Sequence, residues 1–206
     1  MLFNILTTVS LLIVLIMLRR LVEVCPSLLA CLTRWKESTN LEASVQLSRD
    51  RDFLAAALII PFCLTVWKFN LYTPSFMGEC NDNMQFCMIA GALLAFILTR
   101  KTLEWIFKPQ KINGKTLQAA KKASRTFFCL LTLILLGYGW ISSFVGTPAD
   151  SIKSAMLWIS AAIYLIFLIR KTQILTSSSS FFIGFLYLCA LEIIPTGAII
   201  ASAIIF

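Results

Sequence analysis

The chain has 206 residues, 59% of them apolar and 14% charged, with a mean hydropathy of +0.85. Average soluble domains are about 45–50% apolar and about 25% charged, so a water-facing surface over most of this chain is excluded. The 18 Lys and Arg outnumber the 10 Asp and Glu; they cluster at the ends of apolar runs, which points to anionic lipid headgroups as partners and away from nucleic acid.

The first apolar run, residues 2–18, has no basic residue before it and Arg19-Arg20 directly after. A secretory signal peptide needs the opposite order followed by a small-residue cleavage site, so a retained helix with its N-terminus outside is expected. Residues 19–52 are mixed. After Pro26, Leu28, Leu29, Cys31, Leu32 and Trp35 recur at helical spacing beside Arg34 and Lys36, as in a short helix lying in the interface. Arg49-Asp50-Arg51-Asp52 reads as a solvated, self-paired start of the next helix.

The second span is expected over residues 53–72, with Pro61 tolerated inside it and Trp67, Phe69 and Tyr72 forming an outer aromatic belt. A short polar loop leads to the third span, residues 84–99, whose helix should begin within the loop. Residues 100–125 are the most basic stretch, with Arg100, Lys101, Lys108, Lys111, Lys115, Lys121, Lys122 and Arg125 against Glu104. Those eight side chains form a candidate patch for anionic headgroups, at roughly 1 kcal/mol each near the surface. The fourth span is residues 126–145. Gly146, Thr147 and Pro148 turn the chain, the fifth span is residues 152–169, and Arg170-Lys171 is expected to stop it. Thr176 and the serines through Ser180 offer N-caps for the sixth span, residues 181–206.

Sixteen of the 18 basic residues fall in segments 19–52, 100–125 and 170–171; only Lys68 and Lys153 fall at the opposite ends. The positive-inside rule makes those three segments cytoplasmic. The expected fold is therefore all-α: a polytopic transmembrane helical bundle of about six spans, N-out and C-out, forming a single integral membrane domain over residues 1–206.

Histidine is absent, which removes the commonest general base and metal ligand. The seven cysteines are scattered, so no metal or cofactor is expected. Cys80 and Cys87 flank the outer loop and are a candidate disulfide if that compartment is oxidising, with two free thiols as the alternative. Lys111 to Thr116 reads K-I-N-G-K-T, but Pro109 stands where a phosphate loop needs its first glycine, and no buried strand precedes it. No serine elbow or paired intramembrane carboxylates are present, so no catalytic residue is assigned.

Glu192 alone among the acids lies deep in an apolar run. A carboxylate there costs about 2.5–3.5 kcal/mol on insertion scales and needs a partner or a role; interhelical glue is the structural alternative. Lys68 comes to a similar depth on its helix, so it reads either as the partner of Glu192 or as a side chain snorkelling outward beside Trp67. Tyr138, Ser160, Tyr164 and Thr65 are neutral alternatives for the same intramembrane polar site.

The stretch from Phe185 to Pro195 reads F-L-Y-L-C-A-L-E-I-I-P. With the serines Ser177 to Ser180 and the helix end from Tyr164 to Lys171, it resembles the ending of a bacterial envelope family known as domain of unknown function 4271. The resemblance lies mainly in residues 100–206, and Glu192 and Pro195 match its pattern. It implies a multi-pass protein of the bacterial inner (cytoplasmic) membrane and implies no activity. The expected role is non-enzymatic, an accessory or assembly subunit of an envelope complex, with other envelope membrane proteins as partners. A small transporter or proton-linked channel using Glu192 is one alternative, though no inverted repeat is visible. A membrane-embedded lipid-modifying enzyme is the other.

Overall fold

A computed structural model of the chain describes residues 2–72, 74, 82–106, 114–177 and 181–205. In chain order the helices are α1 (Leu2–Thr33), α2 (Trp35–Ala43), α3 (Val45–Ala57), α4 (Ile59–Lys68), α5 (Asp82–Ile106), α6 (Gly114–Val145), α7 (Ala149–Thr176), α8 (Phe181–Leu188) and α9 (Ile194–Ile205). A π-helical turn, Cys189–Ile193, joins the last two.

Five of these stretches are long and apolar enough to cross a membrane: Ile5–Thr33, Asn83–Ile106, Thr116–Val145, Ala149–Thr176 and Gly184–Ser202. Only 6% of the apolar window is buried in the first two, and no more than 33% in any. Soluble helices bury an apolar stripe against a core; these present most of their apolar surface outward, as lipid-solvated helices do.

The helices outrun the apolar runs. The expected span 2–18 is only the first half of α1, which continues past Arg19-Arg20 and Pro26 to Thr33. The expected interfacial helix is therefore the second half of α1. Its Val24, Leu28 and Cys31 are fully buried, and Val24 and Leu28 pack on Leu54, Leu58, Cys129 and Leu130. Likewise α7 does not stop at Arg170-Lys171 but runs to Thr176. The hydroxyls of Thr176 and Ser177 donate back to the Thr172 carbonyl at 2.9 Å and the Ile174 carbonyl at 2.7 Å; Ser178 to Ser180, the remaining candidate caps, lie outside the described residues. The reason is general: hydropathy marks what is immersed in lipid, while backbone hydrogen bonds continue a helix into water.

The expected single helix over 53–72 is broken. Leu58 separates α3 from α4, and Pro61, which has no N–H and crowds the carbonyl four residues back, explains the break. The ten residues of α4 rise about 15 Å at about 1.5 Å each, well short of a bilayer core of about 30 Å. Past Lys68 the chain turns through Asn70, whose φ is 48°.

The centre of the bundle is the hairpin of α6 and α7, turned by Gly146 at φ 72°. Its antiparallel register follows from three layers of side chains. Leu135 meets Ile152 and Met156, Phe127 meets Ile163 and Phe167, and Ala119, Ala120 and Ala123 meet Ile174 and Leu175. The alanines let the backbones approach closely. Gly139 serves the same end at the turn, since a Cβ there would lie 3.0 Å from the Phe69 ring and 3.1 Å from Met156. α3 packs beside the start of α6, with Leu54 against Cys129 and Leu130; α4 lies against α5 through Cys63, Val66 and Ile89.

Candidate functional site

Two charge clusters are built into the end of the bundle where α6 begins. In the first, Glu192 is 1% exposed and sits on the π-helical turn. The turn precedes Pro195, which cannot donate to the carbonyl four residues earlier. The backbone widens instead, and Ile194 N–H donates to the Cys189 carbonyl. The Tyr164 hydroxyl from α7 donates to the Glu192 carbonyl at 3.1 Å.

The carboxylate of Glu192 is shared by two cations from different helices. Oε1 accepts from Lys171 Nζ of α7 and from Arg100 Nη2 of α5, the latter at 2.5 Å. Lys171 is fully buried and its Nζ also stands 5.5 Å from the Phe167 ring. Arg100 reaches Glu104 at 3.7 Å, and Glu104 lies 4.0 Å from Lys121 of α6. The Tyr187 hydroxyl is buried nearby without a hydrogen-bond partner among the described residues.

In the second cluster the buried centre is a cation. Arg51 of α3 is 1% exposed and pairs with Glu42 of α2 and with Asp52, the latter at 2.7 Å. Each acid has a second partner on α6: Lys122 for Glu42 at 2.8 Å and Arg125 for Asp52 at 2.6 Å. Ser48 ties the centre, donating to Glu42 at 3.1 Å and accepting from Lys122 at 3.2 Å.

Of the expected intramembrane site, Tyr164 alone is brought to Glu192. Lys68 is exposed, with Nζ 5.4 Å from the Phe69 ring; it is not the ion partner. Gly184 packs against Leu175 and Thr176, so Glu192, eight residues on, lies about 12 Å from that end, within reach of Lys171. Lys68 lies at the far end of α4. Tyr138 packs instead beside Leu135, Ile152 and Met156. The hydroxyls of Ser160 and Thr65 bond the carbonyls of Met156 and Pro61 on their own helices.

Of the expected headgroup patch, Arg100, Lys121, Lys122 and Arg125 are engaged in ion pairs within the chain, and Lys101 is exposed. Lys108, Lys111 and the Lys115 side chain lie outside the described residues, as does Cys80 of the candidate disulfide; Cys87 is an exposed free thiol.

Sequence reasoning missed Lys171, Glu42 and the burial of Arg51. The signal for Arg51 was present. Ser48, Arg51, Leu54, Ala55 and Leu58 share one helical face, and all are buried, so the apolar stripe of α3 continues straight through the arginine. Among the described residues no group of three or more acids and cysteines is placed to hold a metal. What the two clusters do is join helices: the first links α5, α7 and the π-helical turn; the second links α2, α3 and α6.

No curated protein and no solved structure matches the chain. A family model does, over residues 3–202, nearly the whole sequence and beyond the 100–206 that carried the resemblance. The ending with Glu192 and Pro195, and the bundle it closes, thus belong to a chain that is a member of the family described as domain of unknown function (DUF4271).

Proposed function

We propose that this protein is a six-pass protein of the bacterial inner membrane, N-out and C-out, acting as a non-enzymatic accessory or assembly subunit of an envelope complex. The observation that carries the membrane part is the outward apolar surface of the five long helices. Support for a sixth pass comes from the broken pair α3 and α4. Asp52 meets Arg125 near the start of α6, while Phe69 meets Gly139 fourteen residues further along it, an advance of about 21 Å. The chain thus travels most of a bilayer core despite the break at Leu58. With that pass included, the three basic segments fall on one side.

The accessory role is supported by where the charges go. The buried Glu192 and the half-buried Glu42 face cations of neighbouring helices, an arrangement that fixes helices in place and leaves the outer apolar surface for lipid and partner helices. A second reading, proton-linked transport through Glu192, is favoured by one feature: π-helical turns concentrate at functional positions, and this one holds Glu192.

Reporter fusions after Ser124 and at the C-terminus test the topology; they should report cytoplasm and exterior respectively, and the same compartment for both would overturn it. Proteoliposomes separate the two roles. An accessory subunit leaves an imposed pH gradient decaying as in empty vesicles, whereas a dissipation by the unaltered protein, lost in a Glu192→Gln variant that is still folded at the assay temperature, establishes transport.

A further inference from the structure

Beside the Arg51 cluster lies an open groove of about 580 Å3, inside the range of about 300–1,000 Å3 typical of small-ligand sites. Its walls are of two kinds. Val45, Phe53 and Ala56 of α3 give an apolar side, and Val45 and Phe53 are strongly exposed. Arg49 and Lys122 give a basic side, with Glu42 and Asp52 behind them.

The charges around the groove do not cancel. Glu42 and Asp52 are already engaged by Arg51, Lys122 and Arg125. Arg49 is exposed and has no acidic partner among the described residues. The lining itself holds two cations and two acids, but Arg51 and Arg125 behind it also serve those acids, so four cations stand against two acids around the groove and Arg49 is left over. The groove also straddles the point where α3 changes from the polar Arg49-Asp50-Arg51-Asp52 to the apolar Phe53-Leu54-Ala55-Ala56. An occupant must therefore be anionic at one end and apolar at the other.

We propose that this groove is a binding site for one anionic phospholipid, its phosphate held by Arg49 and Lys122 and the first part of its acyl chains lying along Phe53 and Ala56, on the membrane side of Arg49. A planar guanidinium is suited to a phosphate, and an anionic phospholipid meets both walls in the register that the bilayer itself imposes. The site rests on the chain being embedded in a membrane, and it narrows the basic surface from a diffuse patch to one concavity.

The test is native mass spectrometry of the full chain from neutral detergent, with phosphatidylglycerol or phosphatidylcholine added. One phosphatidylglycerol should be retained in preference to phosphatidylcholine. Arg49→Gln removes an unpaired surface charge, so the fold should survive, and it should weaken retention about fivefold, the factor that about 1 kcal/mol per basic residue represents. Lys153→Gln, near the start of α7 at the opposite end of the bundle, should leave retention unchanged; Ala56→Trp, which fills the groove, should abolish it. Equal retention of phosphatidylcholine, or an equal loss in Lys153→Gln, overturns the proposal. So does displacement of the lipid by equimolar inorganic phosphate, or a co-purifying polypeptide that phosphatidylglycerol does not displace. Carbonate extraction of cell membranes reports separately on embedding: a chain released into the aqueous phase overturns the membrane reading, whereas an embedded chain without lipid selectivity overturns the groove alone.

Discussion

The two charge clusters are inverses of each other. Around Arg51 a buried cation serves two acids, and each acid keeps a second, more exposed cation on α6, Lys122 at 38% and Arg125 at 50%. Around Glu192 a buried acid serves two cations, of which Lys171 has no other ion partner among the described residues. The first cluster is redundant and open to water on one side. The second is not: its central acid and its lysine are both sealed within the bundle, and the cations of α5 and α7 share a single carboxylate. Removing one partner of a buried pair leaves an uncompensated charge, which is far more costly than losing an exposed pair. The same residue types at similar distances therefore carry different weights.

The sharpest way to break the comparison is Glu192→Gln. It strands Lys171 without a counter-ion and should cost about 3–5 kcal/mol, lowering the unfolding midpoint in mild detergent by on the order of 10 °C. A loss no larger than that of Arg51→Met would collapse the distinction between the clusters.

Arg51→Met should cost less, about 1.5–3 kcal/mol for the charged hydrogen bonds lost, because Glu42 and Asp52 retain Lys122 and Arg125. What remains in that variant is partly exposed, so raising the salt from low to about 1 M should deepen its loss by screening. Glu192→Gln should show little such dependence. Thermal unfolding at two ionic strengths separates them; equal salt sensitivity would mean that water reaches both.

The smallest effect sharpens the assignment of partners. Lys68→Met, at an exposed position, should change stability by no more than about 0.5 kcal/mol and add simply to Glu192→Gln. Lys171→Met should not add: the double variant with Glu192→Gln should lose less than the sum of the singles by about 0.5–3 kcal/mol. Additivity for Lys171, or coupling for Lys68, would reverse the partner assignment.

The Glu192 site was half legible in the sequence. A lone acid inside an apolar run announces that a partner exists, and Tyr164 was among the candidates. The identity of the cations was not legible. Depth estimated from the start of an apolar run placed Glu192 level with Lys68, but α8 starts beside the end of α7, which itself runs past Arg170-Lys171. A shift of one or two turns exchanges one basic residue for another, and lysine and arginine stems bridge such a shift without leaving a mark in the pattern. The same limit applies to Arg100, Lys121, Lys122 and Arg125: their charge was plain, yet whether each faces a headgroup or an acid on another helix depends on rotation about the helix axis.

The sequence by itself determined that the chain is helical, with several helices apolar enough to cross a membrane. A mean hydropathy of +0.85 and apolar runs bounded by basic residues need no partner to act, because transfer of a helix into lipid is a local free energy summed along the run. The turn at Gly146-Thr147-Pro148 was readable for the same reason, since backbone chemistry is local, whereas Pro61, expected inside one unbroken helix, accompanies the break at Leu58. Only the tertiary structure decided that α1 continues as a buried helix to Thr33, that Arg51 lies inside, and that Glu192 is shared by Arg100 and Lys171. Those outcomes depend on which faces of separate helices meet and at what relative height, quantities set by packing across 21 to 138 residues of sequence. Charge pairing acts over a few ångströms in space and is indifferent to distance along the chain.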